Sequence, residues 1–193
     1  MSRLWKKIKR VRRGSRAARI LCERLQRWGI DARMIEEGGD CVALRGQEID
    51  VIKVNHTRAY GAGSYSFYYG VRRDVEGIEK RVKARMKIQA KGLARREVID
   101  FKWVGGGLAD ELNRDEALKA QLLRQLKTNV RDSVEAFPDK KAGVVWITTT
   151  KYVSPFPKSA TPFSIPDDIM PSETSFRLYN AIANHIRNEA SRQ

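Results

Sequence analysis

Asp100 and Lys102 lie two residues apart in the apolar stretch Val98-Ile99-Asp100-Phe101-Lys102-Trp103-Val104. In a strand, residues two apart point to the same side. Ile99, Phe101 and Trp103 are then expected to face a core. A carboxylate and an ammonium on such a strand are costly unless they pair, meet a metal or do chemistry. A second acidic stretch, Gly46-Gln47-Glu48-Ile49-Asp50-Val51-Ile52, places Glu48 and Asp50 on one side of another apolar strand. Alone, the first stretch is explained by an ordinary solvated Asp–Lys pair. Whether the two stretches meet decides whether they do chemistry.

The elements that would position them can be read in order. Ser15 is a candidate N-cap, and Ala18, Leu21, Leu25 and Trp28 mark one face of a helix ended by Gly29. Ala32 to Glu36, Cys41 to Leu44 and Glu48 to Val54, broken by glycines, read as a meander of strands. In 64–71, Tyr65, Phe67 and Tyr69 alternate with Ser66 and Tyr68, and core packing is preferred to base stacking. Residues 74–91 fit two periods. Ile78, Val82, Met86, Ala90 and Leu93 trace a helical stripe, while 82–90 alternates as a strand with one basic side. Helix-forming composition favours the helix; either way Lys83 and Lys87 share an exposed face.

After Gly105-Gly106-Gly107, a long helix is expected, broken or capped near Asn113 to Asp115 and striped by Leu118, Leu122, Leu126, Val130 and Val134. Ala142 to Thr149 reads as a strand covered on both faces. Residues 154–171 hold five of the six prolines and read as an extended loop. A final helix points Phe176, Tyr179, Ala183 and Ile186 inward.

At 193 residues the chain is expected to form one domain. Its two cysteines imply no disulfide framework and make a reducing, cytoplasmic setting the default. Isolated histidines argue against structural zinc, and no apolar run is long enough to span a membrane. The net charge of +15 is localised: +9 over residues 1–22 and +7 over 72–96, with the remainder near balance. Localised basic charge on a neutral body points to a polyanion partner. Lys6, Lys7, Lys9, Arg10, Arg12 and Arg13 form a basic arm over 1–14. A membrane-surface helix and a targeting peptide compete for this arm; Lys83 and Lys87 in the second segment favour nucleic acid.

The helix, then Glu48-Ile-Asp50 on one strand, then Asp100-Phe-Lys102 on a later one, resembles the PD-(D/E)XK nuclease superfamily over roughly residues 15–150. Arg45-Gly-Gln-Glu-Ile-Asp-Val-Ile52 is similar to the acidic strand common in restriction-endonuclease-like proteins. The resemblance implies an α/β fold, a central mixed sheet flanked by helices. On that plan 15–153 is the core, 56–96 a basic insertion, and 154–193 a Pro-rich loop and helix packed on it. It also implies an endonuclease hydrolysing DNA phosphodiesters with Mg²⁺ or Mn²⁺. Asp50 and Asp100 would be the ligands, Lys102 would orient the water, and Glu23 would be an accessory acid. Glu48 and Asp40 are rival ligands, and a second copy of the chain is a candidate partner. Position 100 carries Asp where Glu is commoner in that family. The alternative is a non-catalytic nucleic-acid-binding or assembly protein on a similar fold.

Overall fold

The computed structural model describes residues 16–35, 39–59, 62–91, 97–128, 133–149 and 170–191. In chain order, α1 (residues 16–27) leads to β1 (Asp31–Met34), β2 (Cys41–Arg45), β3 (Val51–Ala59) and β4 (Ala62–Arg72). Then follow β5 (Ala84–Lys91), β6 (Glu97–Gly105), α2 (Gly107–Arg114), α3 (Glu116–Thr128), β7 (Val134–Asp139), β8 (Val144–Thr149) and α4 (Glu173–Ala190). The eight strands make one sheet in the order β1-β2-β3-β4-β8-β7-β5-β6.

The fold is α/β, but the mixed sheet expected from the sequence is not formed: every strand pairing is antiparallel. The strand–helix–strand passage 98–149 does make a crossover. β6 and β7 run in the same direction, yet β5 lies between them and pairs antiparallel with both. Nor is 56–96 an appendage. It supplies β4 and β5, both paired on two sides.

Residues 84–91 are a strand rather than the expected helix. Ala84 and Met86 are buried while Arg85 and Lys87 are exposed, so period two satisfies the sheet and overrides helix propensity. The expected long helix divides at Asp115, and Val134 belongs to β7 instead of continuing its stripe.

The helices supply one core with one face of the sheet. Ala18, Leu21 and Leu25 of α1, Leu108 and Leu112 of α2, Leu118 and Leu122 of α3, and Phe176, Ile182 and Ile186 of α4 pack with that face. The sheet contributes Ile52, Val54, Phe67, Tyr69, Val145, Ile147, Met86, Phe101 and Trp103. Tyr69 stacks on Tyr179 of α4 at 4.5 Å between ring centroids. Gly29, at φ +78°, ends α1 in the left-handed region where glycine carries no penalty. Val51 and Val144, although buried, lie outside that core and belong to the opposite side of the sheet.

Two polar devices tie the helices to the sheet edge. Asn113 of α2 accepts from the Trp103 N–H and donates to the Trp103 carbonyl, both at 2.9 Å, so the outer edge of β6 is satisfied locally. Asp115 caps α3 by accepting from the Leu118 N–H at 2.9 Å and meets His185 of α4 at 2.9 Å. First that N–H and then the His185 ring hold the Asp115 carboxyl below its usual range. No helix among the described residues is long and apolar enough to cross a membrane.

Asn113→Ala should lower stability by about 1–3 kcal/mol, because two strand groups lose their partner; denaturant melts compare it with wild type. Ionised Asp115 contributes stability that is complete above the ordinary carboxylate pKa and disappears as pH falls through its lowered folded value. Asp115→Asn keeps the cap hydrogen bond but loses the charge beside the α3 N-terminus and His185, so it should flatten that acid limb and cost about 0.3–1 kcal/mol near neutrality, read from melting temperature against pH.

Candidate functional site

The Glu48–Asp50 stretch is a connection pinned by α4, not a strand face carrying two acids. Asn180 accepts from the Glu48 N–H at 3.0 Å and the Ile49 N–H at 3.2 Å. Arg187 donates to the Glu48 carbonyl at 3.0 Å and to Asp50 Oδ2 at 2.9 Å, and pairs with Glu48 Oε2 at 3.0 Å. Asp50 Oδ2 also accepts from the Arg72 N–H at 2.6 Å. Ile49 is fully buried between the two acids. The acids serve as struts that fasten the start of β3 to α4.

Asp100 sits at a bulge. Gln89 pairs with Asp100 and Ala90 with Val98, leaving Ile99 extra on β6. Ile99 is therefore 58% exposed rather than in the core, while Val98, Phe101 and Trp103 are buried. Asp100 Oδ1 accepts from the Phe101 N–H at 2.8 Å and pairs with Lys119 of α3 at 3.2 Å. Those two groups, in that order of effect, hold its carboxyl below the usual range. Its ion-pair partner is thus Lys119, and Lys102 instead stands opposite Lys87.

The expected Mg²⁺ or Mn²⁺ site does not assemble. β3 and β6 are five strand positions apart in the sheet, roughly 24 Å at ordinary strand spacing. Two carboxylates sharing one such ion need separations of about 4–6 Å. The donors near Asp50 are moreover cations and N–H groups, the opposite of an ion-binding shell. Glu23 is exposed on α1. Glu48 is spent on Arg187, and Asp40 Oδ1 is buried without a partner. Burial raises the Asp40 carboxyl, with Lys53 acting against it. Among the described residues, no group of three or more His, Cys, Asp or Glu comes together to hold a metal.

The face of the sheet turned away from the helices has a different character. In one rung across it, Lys53 (β3), Tyr68 (β4), Thr148 (β8), Glu135 (β7), Arg85 (β5) and Val104 (β6) are successive partners. The neighbouring rung runs Val51, Gly70, Trp146, Phe137. Beyond these, Lys87 faces Lys102, and Arg72 faces Val144. Lys53, Arg72, Arg85, Lys87 and Lys102 are exposed, and Tyr68, Trp146 and Phe137 are half-buried. None of the five cations has an ion-pair partner among the described residues. Among the described residues, Glu135, Asp139 and the Lys119-paired Asp100 are acids on this face, and Asp40 lies near enough to Lys53 to feel its charge.

No family model, curated protein or solved structure matches the chain. The chemistry of the face has to be read from its own residues.

Of the nucleic-acid contacts expected from the sequence, Lys87 is on this face, and Lys83 is exposed immediately before β5. Lys6, Lys7, Lys9, Arg10, Arg12 and Arg13 lie outside the described residues, as does the Pro-rich stretch from 154 to 169. Tyr65, Phe67 and Tyr69 pack on the core side as expected. Lys53, Tyr68, Arg72, Phe137 and Trp146 were not anticipated as surface groups, whereas Arg85 lies on the basic side that the strand alternation of 82–90 gives. For β8 the available signal is the alternation of Val145 and Ile147 with Trp146 and Thr148. It marks a strand covered on one face, not two.

Arg187→Ala should cost about 2–3 kcal/mol, since several charge-assisted bonds are lost together. Lys119→Ala should cost under about 1 kcal/mol, as an exposed pair. Chemical denaturation of both variants checks the ranking, and millimolar Mg²⁺ should leave each melting temperature unchanged.

Proposed function

We propose that this chain is a non-catalytic nucleic-acid-binding protein whose contact surface is the face of its sheet that the helices among the described residues leave uncovered. The observation that carries this reading is the array of Lys53, Arg72, Arg85, Lys87 and Lys102 around Tyr68, Trp146 and Phe137 on one uncovered side. Phosphate neutralisation by such cations releases counterions and supplies sequence-independent affinity. The basic charge of residues 1–22 adds to the same attraction. Hydrolysis through Asp50 and Asp100 is not part of the proposal, because Arg187 and Lys119 hold the two carboxylates at separate places in the sheet.

The cations fall into two groups. Arg85, Lys87 and Lys102 lie on β5 and β6, and Lys53 and Arg72 on β3 and β4. The aromatic residues of β4, β8 and β7 lie between them. A backbone crossing the strands would meet positive charge at both ends of its path. With strands spaced about 4.8 Å apart, β3 to β5 spans roughly 19 Å.

The test is binding of a labelled oligonucleotide by anisotropy across a salt series, with EDTA present. Wild type should bind, with affinity falling steeply as salt rises. Replacing Arg85, Lys87 and Lys102 together by Ala should weaken binding at least about tenfold and reduce the log–log salt slope by about 2–3. Arg114→Ala, on the helix layer, should change neither. Unchanged affinity and slope in the triple variant would remove this face from the proposal, and absence of wild-type binding would end it.

A further inference from the structure

We infer that the ligand of this face is a single-stranded nucleic acid whose bases stack on Tyr68, Trp146 and Phe137. The inference rests on the nucleic-acid reading and deepens it from charge to base recognition.

The three aromatic residues stand on adjacent strands. Trp146 lies directly across from Phe137 on β7 and from Gly70 on β4. Gly70 is what lets the indole lean over the sheet. A Cβ there would stand 2.7 Å from Trp146 Cζ3, 2.7 Å from Val51 Cγ1 and 2.9 Å from Val144 Cγ1. The ring thus rests on a small apolar floor made of backbone and two valines. Tyr68 meets Trp146 edge-on, with centroids 6.3 Å apart and planes at 84°. The edge contact and the floor fix the indole at little further entropic cost, and the ring remains half-buried rather than enclosed.

None of these three side chains packs in the main core, although the other large aromatics of the sheet, Phe67, Tyr69, Phe101 and Trp103, all do. Aromatic side chains on an open antiparallel face, bordered by Lys and Arg, suit a strand whose bases are splayed out. A duplex keeps its bases paired and stacked inside, so it would use the cations of this face and leave the aromatic groups idle. On the same side Ser66 is buried and the Thr148 hydroxyl donates to the Phe67 carbonyl at 3.5 Å, which leaves the half-buried Asn55 carboxamide as a polar group able to meet a base edge. Stacking of this kind tolerates any base, so the preference expected is for strandedness rather than sequence.

Wild-type protein is titrated with a 15-nucleotide oligothymidylate, with an abasic strand of the same phosphate count, and with a duplex of that length. Oligothymidylate should bind best, by about 5- to 150-fold over the abasic strand for each base stacked. Its binding should quench tryptophan fluorescence. Trp146→Ala should remove one base's share of that advantage, about 5- to 150-fold, while leaving abasic and duplex affinities unchanged, and Trp146→Phe should restore most of it. Equal wild-type affinity for oligothymidylate and the abasic strand would overturn stacking while leaving the charge-based reading intact. Binding of none of the three would overturn both. Because the abasic comparison uses the unaltered protein, the result does not depend on any variant folding.

Discussion

Each strand of an antiparallel sheet sends alternate residues to opposite sides, and here the helices among the described residues pack on one of them. That one-sided burial governs the rest of the structure. It draws Ile52, Tyr69, Ile147, Met86 and Trp103 into a core with α1 to α4. It leaves Lys53, Tyr68, Trp146, Arg85 and Lys102 on the other side. Because side-chain direction has period two, a one-residue slip in any inner strand would exchange the two sets. The hydrophobic effect therefore sets register, and register sets the composition of the open face.

The acidic residues that look most like chemistry are used to fasten elements together. Arg187 gathers the Glu48 carbonyl, the Glu48 carboxylate and Asp50, and Asn180 binds two N–H groups of the same connection. Such a cluster settles where α4 lies along the sheet, since a helix free to slide would lose all of these bonds together. Glu189, buried in the last turn of α4, does similar work. It pairs with Arg81 at 3.0 Å and lies so close to Gly107 that a Cβ there would stand 2.4 Å from its Oε1. A side chain at the first residue of α2 would require the Glu189 carboxylate to shift. A carboxylate beside a helix N-terminus is also favourably placed.

The bulge at Ile99 shows how a motif can keep its spacing and lose its partner. Asp100 and Lys102 stay on one side of β6, opposite Gln89 and Lys87, while the extra residue Ile99 turns out to solvent. The carboxylate of the Asp-x-Lys triplet is paired with Lys119 of α3 rather than with Lys102. Divergent roles also follow from sheet order, because β3 and β6 carry similar-looking apolar runs at positions five strands apart.

Local patterns were sufficient for much of this protein. Helix α1 with its Gly29 stop, the inward stripe of α4, the strand β2, the Val51 to Val54 part of β3, and the core placement of Phe67 and Tyr69 follow from apolar spacing alone. So does the concentration of basic charge before β6. Residues 74–91 were ambiguous because helical and alternating periods coexist there, and only pairing with β6 and β7 decided for a strand. The distance between Asp50 and Asp100 and the Lys119 partner of Asp100 were beyond reach of the chain read in one dimension, whereas the exposure of Trp146 is written in the alternation of β8. Strand neighbours are chosen by long-range packing, and apolar alternation marks the covered side of a strand without recording which strands will lie beside it.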